Sequence, residues 1–338
     1  MAEKTGIQWC HHTLSPWRGC SKVSAGCAAC YAEALSKRFP DTFGVWGDQG
    51  VRVINRKMNE LLKWDRAAAK AGERRRNFPS VCDCLEDRPE LDAPRADFLA
   101  LIARTPNLDH LLLTKRPENF VPLMERIASS SHEAMAFARE WLDEKPPANV
   151  WFGVSAENQE YADRRIPIMG MIPAALRWVS YEPALGPVDF RRLKPSFLLY
   201  DEHYDCLTGI KDGLGPVSWI VVGGESSQGG KEGRPFDVEW ARSTVEQGRA
   251  AGTPVFVKQL GANLAPGLFR CPRCGRVEDL AGFDVGRADS GKLFCTACHL
   301  EDEMEPVARL RDSHGGDMEE WPADLRVREL PQPEGVAA

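Results

Sequence analysis

No stretch of this 338-residue chain approaches the ~20 apolar residues that cross a bilayer. Its first residues, Met1-Ala2-Glu3-Lys4-Thr5-Gly6, lack the apolar core of a secretory signal. The expectation is a cytoplasmic protein with no membrane partner. An excess of positive charge is missing too: 43 Lys and Arg stand against 49 Asp and Glu, a formal net charge of −6 with a pI near 5.8. Nothing global draws such a chain to nucleic acid or to an anionic surface. Short basic runs remain at Arg74-Arg75-Arg76, Lys115-Arg116 and Arg164-Arg165, to be read as solvated faces or as a local nucleic-acid patch. Phosphate-loop, hydrolase-elbow and kinase motifs are absent, so hydrolase and kinase chemistry have no local support.

What the chain does have is cysteine. A disulfide framework would be unusual in a large cytosolic-type chain, so seven of its eleven thiols, in two tight sets, are read first as metal ligands, leaving Cys10, Cys82, Cys84 and Cys206. Cys20, Cys27 and Cys30 form C-x6-C-x2-C, with glycine before the first two thiols. Thiolates hold iron–sulfur clusters, and a four-iron cube needs four ligands. Three clustered thiols leave one iron open to bind a small molecule, which points to chemistry more than to electron storage. Cys271, Cys274, Cys295 and Cys298 form two C-x2-C pairs twenty residues apart. Two such knuckles suit one tetrahedral zinc ion (Zn2+), and Gly275 suits the turn after the first pair. This ribbon is either a structural staple or a small docking module for nucleic acid or a partner.

Short apolar, β-rich runs alternate with amphipathic segments. Strands are expected at Gly6–Cys10, Asn77–Val81, His110–Leu113, Val150–Val154, Arg177–Ser180, Trp219–Val222 and Pro254–Val257. Helices are expected at Ala28–Arg38, Met58–Lys70, Arg95–Ile102, Phe120–Ala128, Glu133–Trp141, Asn158–Met169 and Val238–Ala251. The spacing argues for βαβ units in an α/β fold with a parallel sheet, a complete or partial barrel rather than a sandwich, with a doubly wound open sheet as the alternative. Most of these strands finish in polar residues: Asp83, Lys115, Ser155 with Glu157 and Asn158, Glu182, Gly223-Gly224-Glu225, and Lys258. In a barrel all these ends, and the cysteine loop, converge on one face, where active sites form. Glycines there would let backbone approach a ligand, carboxylates could accept from ribose hydroxyls or an ammonium, and a lysine could meet a carboxylate or phosphate.

The run Trp17-Arg18-Gly19-Cys20 through Gly26-Cys27-Ala28-Ala29-Cys30-Tyr31-Ala32-Glu33 resembles the phage Gp37/Gp68 family of three-Cys-motif proteins. The resemblance continues through Leu113–Pro117, Phe152–Asn158, Ser180–Val188, Val221–Ser226, Phe256–Gln259 and Gly315–Pro322, and so spans nearly the whole chain. That family looks like a branch of the radical S-adenosylmethionine superfamily, with a cysteine loop similar to that of spore photoproduct lyase-like proteins. The usual superfamily loop has three residues in its first gap, whereas this one has six. Cys82-Asp83-Cys84 also departs from the pattern, its thiols being core cysteines or extra redox groups. The resemblance implies a radical S-adenosylmethionine enzyme. A 4Fe-4S cluster would sit on Cys20, Cys27 and Cys30, with S-adenosylmethionine on the open iron. An electron from flavodoxin or ferredoxin would produce a 5′-deoxyadenosyl radical, and the cofactor carries the hard step. It implies Tyr31 beside cluster and adenine, Ser155, Glu157 and Asn158 on ribose or methionine, Lys115 on a carboxylate, and Gly223-Gly224-Glu225 on cofactor or substrate. A nucleic acid or nucleotide substrate is expected, and a protein encoded nearby is a further candidate partner.

Two other readings stand beside it. One is a zinc-binding module for nucleic acid or a partner, with no radical chemistry. The other is an electron-transfer protein with a fully ligated cluster. Cys10, or His11 for zinc, would supply the fourth ligand. The expected domain plan is a barrel over residues 1–261, a ribbon insertion over 262–312, a return to the barrel over 313–330 and a disordered tail over 331–338.

Overall fold

The computed structural model describes residues 2–196, 203–209, 213–228, 232–279, 284–285, 293–295, 297–298, 301–302 and 304–332. Part of the expected ribbon and residues 333–338 of the expected tail lie outside them. The centre is one all-parallel sheet of six strands: β1 (Arg75–Asn77), β2 (Leu108–Thr114), β3 (Val150–Ser155), β4 (Leu176–Tyr181), β5 (Trp219–Gly223) and β6 (Val255–Gln259). Spatial order equals chain order, so the sheet winds one way only, which removes the doubly wound alternative.

Helices join most of the strands. They are α1 (Tyr31–Arg38), α2 (Glu60–Ala71), α3 (Asp92–Ala103), α4 (Phe120–Ala128), α5 (Met135–Leu142), α6 (Gln159–Met171) and α7 (Val238–Ala251). Strand periodicity divides the apolar side chains between two cores. Leu112, Phe152, Val179, Ile220 and Val257 join the main core with helical residues such as Leu99, Leu123 and Ile166. Their neighbours Leu111, Trp151, Trp178, Trp219 and Phe256 meet Trp9 and Phe78 in a second, inner core. That inner core shows the sheet is curled. Phe78 follows β1 and Trp178 lies in β4, three strand spacings away, about 14 Å in a flat sheet. Their ring centroids are nevertheless 6.2 Å apart. The architecture is a half-barrel whose inside is filled by tryptophan.

The expected first strand, Gly6–Cys10, does not form. The Cys10 N–H turns back to the Ile7 carbonyl, and Trp9 goes into the inner core. Only His12 bridges to Asn77, in parallel register. The expected Asn77–Val81 strand lies earlier, at Arg75–Asn77, because Pro79 has no N–H to continue the ladder. At the other edge, Val257 donates to the Val327 carbonyl and Glu329 to that of Val255, so residues 327–329 cover β6.

Residues between β6 and that edge segment form small antiparallel sheets. β7 (Leu268–Arg270) pairs with β8 (Val277–Asp279), and β9 (Asp284–Val285), β10 (Leu293–Phe294) and β11 (Glu301–Asp302) pair in that order. β12 (Glu305–Pro306) returns to β7. No helix among the described residues is long and apolar enough to cross a membrane.

Candidate functional site

The carboxyl ends of the strands open into one cavity of about 400 Å³. From the sheet come Asp83, Lys115, Ser155, Glu182, Gly224, Glu225 and Lys258. From the preceding loop come Cys20, Cys27, Cys30 and Tyr31. Ile7, Trp9 and Phe78 line it from the inner core, and the buried indole N–H of Trp9 has no partner among the described residues. The volume falls within the range of small-molecule and cofactor sites.

The cysteine loop is held over the sheet by buried charge. Glu157, fully buried, pairs with Arg165 at 2.8 Å and with Lys115 at 3.6 Å, and accepts from the Ser24 hydroxyl at 2.6 Å. Burial alone would raise its pKa, but Lys115 and Arg165 outweigh burial and hold it below the usual carboxylate range. Ser24 lies 3.8 Å from the Cys27 sulfur, so the carboxylate reaches the loop through one hydroxyl. Gly26 sits directly above: a Cβ there would fall 2.3 Å from Glu157 Oε1, so only glycine lets the loop come this close.

Asp83 anchors the other side. It accepts from Thr114 Oγ1 at 2.7 Å and from the Lys115 N–H at 3.0 Å, and pairs with Arg116 at 2.7 Å. Arg116 then donates to the Cys20 sulfur at 3.5 Å and to the Ser21 carbonyl at 2.8 Å. Burial pushes the Cys20 thiol up to about 12, Asp83 adding to this and Arg116 opposing it. Burial also raises Cys30, against the N–H groups of Glu33 and Ala32 at the start of α1. Glu86 accepts from the Ser21 N–H at 3.0 Å and holds Arg52 at 2.6 and 2.8 Å, both side chains being buried.

Several site residues have partners other than those expected. Asn158 is outside the cavity lining; its side chain caps α6, accepting from the Tyr161 N–H at 3.2 Å. Glu157 lies beneath the cysteine loop and supports it. Gly223 ends β5, its carbonyl accepting from Ala184 at 2.9 Å. Gly224 is needed for backbone packing, since a Cβ would fall 2.4 Å from the Leu260 carbonyl oxygen. Glu225 is held by Arg234 at 2.5 and 2.9 Å, and Arg234 also donates to the Ala25 carbonyl of the cysteine loop at 2.9 Å. Glu182 pairs with Lys258, and Lys115 donates to Ser155 at 2.8 Å. Tyr31 is 42% exposed, its hydroxyl bonded to the Ser80 carbonyl. Cys10 is packed in the inner core, with burial pushing its thiol up to about 12, and the exposed His11 accepts from the Arg76 N–H. Neither lines the cavity. The sulfurs of Cys82 and Cys84 lie 3.9 Å apart, Cys82 on the cavity and Cys84 in the main core.

The basic runs also resolve into internal pairs. Arg74 binds Asp109, Arg116 binds Asp83 and Arg165 binds Glu157. Sequence reasoning missed these arginines as supports, along with Arg52, Glu86, Ser24 and Arg234. A two-turn spacing from Glu157 to Arg165 is the one local signal that could have found a pair.

At the second cysteine set all four sulfurs lie within 4.8 Å of one another. Cys271 to Cys298 and Cys274 to Cys295 are each 3.6 Å apart. The first knuckle is the turn between β7 and β8: the Gly275 N–H returns to the Cys271 carbonyl with Gly275 at φ +75°. At Cys295 burial would raise the pKa, but N–H groups of Cys298 and Ala297 and the neighbouring thiols bring it down to about 7. The arrangement can bind a metal ion.

Fold and site together define a mixed α/β half-barrel with an open three-cysteine cavity and a closed four-cysteine cluster. The chain belongs to the family described as Protein of unknown function (DUF5131), which matches residues 4–303. Searches of curated proteins and of solved structures gave no significant match.

Proposed function

We propose that the half-barrel is a radical S-adenosylmethionine enzyme, with Cys20, Cys27 and Cys30 holding a 4Fe-4S cluster and S-adenosylmethionine bound beside it. The observation that carries this reading is the shared wall: three soft thiols line the same 400 Å³ cavity as the polar strand ends. The donor set suits iron–sulfur ligation.

When bound, the pair of cofactors would supply one-electron cleavage of the sulfonium and hydrogen abstraction from substrate. The chain's own residues position and shield. Arg116, fixed by Asp83, holds a donor against Cys20. Lys115 and Ser155 offer a cation and a hydroxyl at the ends of β2 and β3, suited to a carboxylate. Glu182 and Lys258 offer an acceptor and a cation at β4 and β6, suited to ribose hydroxyls and phosphate, which is the basis for proposing a nucleotide or nucleic acid as substrate. The Trp9 N–H is a donor without a partner among the described residues. The tryptophan floor keeps water from entering beneath.

For the ribbon we propose zinc. With Zn–S near 2.3 Å, tetrahedral sulfurs stand about 3.8 Å apart, close to the separations above. The decisive experiment is anaerobic reconstitution with iron and sulfide, followed by dithionite and S-adenosylmethionine. Formation of 5′-deoxyadenosine and methionine, lost in Cys27→Ala, is expected. Failure to take up iron, with zinc at both cysteine sets, would sink the enzyme reading and favour the zinc module.

A further inference from the structure

Among the described residues, six of the eight exposed large hydrophobic side chains fall within residues 23–54: Val23, Tyr31, Phe39, Val45, Val51 and Ile54. Scattered apolar exposure needs no explanation, but concentration in one short piece of chain marks an interaction face. Phe39 is 46% exposed, Val45 67% and Val51 76%. The piece is tied to the cysteine loop. The Gly47 N–H donates to the Cys20 carbonyl at 3.2 Å, Arg52 donates to the Ser21 hydroxyl at 2.8 Å, and Arg18 pairs with Val53 in a short antiparallel ladder.

Charge is uneven in the same place. Residues 23–57 hold five Lys and Arg against three Asp and Glu, a formal +2 within a chain of −6. Arg52 is neutralised by Glu86, but Arg38, Arg56 and Lys57 are exposed. Arg38 lies over the Phe39 ring, 5.1 Å from its centroid. Exposed apolar and aromatic side chains together with exposed cations in one short segment are the composition of a protein-docking surface. Val45, Val51 and Ile54 offer no stacking surface for bases and no donor for phosphates, which ranks a protein partner above a nucleic-acid strand.

Resting on the radical reading, a cluster on this loop needs one electron from outside, and a charged face beside it selects its partner by complementarity. We infer that residues 23–57 form the docking site for an acidic one-electron carrier protein. Its apolar contact meets Phe39, Val45 and Val51, and its carboxylates meet Arg38, Arg56 and Lys57. The carrier is oxidised by one electron, the cluster is reduced by one, and no bond of this chain changes.

Flavodoxin is the probe, and two double variants, Phe39→Ser with Val51→Ser and Arg38→Glu with Lys57→Glu, leave every cavity residue in place. Flavodoxin titrated onto the reconstituted protein should bind, more weakly as salt rises, and each double variant should bind about tenfold more weakly. Yield of 5′-deoxyadenosine driven by reduced flavodoxin should fall in parallel, while that driven by dithionite stays unchanged. Equal flavodoxin binding by variants and parent, or an equal loss with both reductants, overturns the inference. So does a dimer of the parent abolished by the substitutions, or loss of single-stranded oligonucleotide binding with flavodoxin unaffected. If dithionite gives no cleavage in the parent, the radical reading fails, and the flavodoxin titration still decides the face.

Discussion

At the four-cysteine cluster, sulfur is surrounded by turns and strands of two or three residues. At the three-cysteine loop, it is surrounded by charge. Cys271, Cys274, Cys295 and Cys298 converge because two short turns aim them at one point, and the local secondary structure is barely more than what the turns require. Cys20, Cys27 and Cys30 lie on a loop that would not hold itself. It is fastened by Glu157 through Ser24, by Arg116 through Cys20 and Ser21, and by Arg234 through Ala25. The first site is complete in its own sulfurs and leaves no place for a ligand. The second is incomplete in its sulfurs and opens on a cavity. Closed thiolate sites hold structure, while open ones admit substrate.

The largest expected effect separates the two sites outright. Cys295→Ser should remove zinc and leave reconstituted iron intact, while Cys27→Ala should do the reverse, as metal analysis of the two proteins will read. Any loss of both metals by one substitution would break the distinction. Next comes the support under the open site. Glu157→Ala leaves Arg165 buried without its carboxylate partner, at a cost of about 3–5 kcal/mol in urea unfolding. An equally stable variant would mean the loop does not depend on that carboxylate. Gly26→Ala should cost less, about 1–3 kcal/mol from overpacking. Most of that cost should vanish in the Glu157→Ala background, because the clash is with the Glu157 side chain.

Per pH unit, the smallest effect concerns acid. His110, in β2, bonds Thr105 at 2.9 Å, and burial, with Arg74 nearby, lowers its pKa to about 3. The folded state therefore binds fewer protons than the unfolded chain between its ordinary value near 6.5 and about 3. Stability contributed by the neutral ring is full above about 6.5 and falls by about 1.4 kcal/mol per pH unit through that window. A His110→Gln variant should show a shallower loss of unfolding free energy from pH 6.5 to 4, with zinc content at neutral pH unchanged. The same slope in both proteins would remove His110 from the account.

The four-cysteine set was legible in the sequence because ligand spacing is local. Five of the six strand ends were legible for the same reason, since each is an apolar run followed by a polar residue; β1, at Arg75–Asn77, is not. Four further features were not. Gly6–Cys10 has the composition of a strand, but Trp9 is worth more inside the curled sheet than on a ladder. Asn158 has the chemistry of a ligand contact and the position of a helix cap, and the backbone claims it. Gly224 fits a ligand-binding turn equally well, but the approach of Leu260, thirty-six residues on, decides its role. The arginine runs looked solvated because their carboxylate partners come mostly from elsewhere in the chain, as Asp83 and Asp109 do for Arg116 and Arg74.

The inner core has an optical consequence. Trp9, Trp151, Trp178 and Trp219 lie with ring centroids 5.6–6.0 Å apart in their contacts, shielded from water. Their emission should be blue-shifted and shared among coupled indoles. Any chromophore that fills the cavity above would sit within energy-transfer range of all four. Occupancy of the half-barrel can therefore be followed by tryptophan quenching alone, in the unlabelled protein and during assembly, while the ribbon fills without dimming the light.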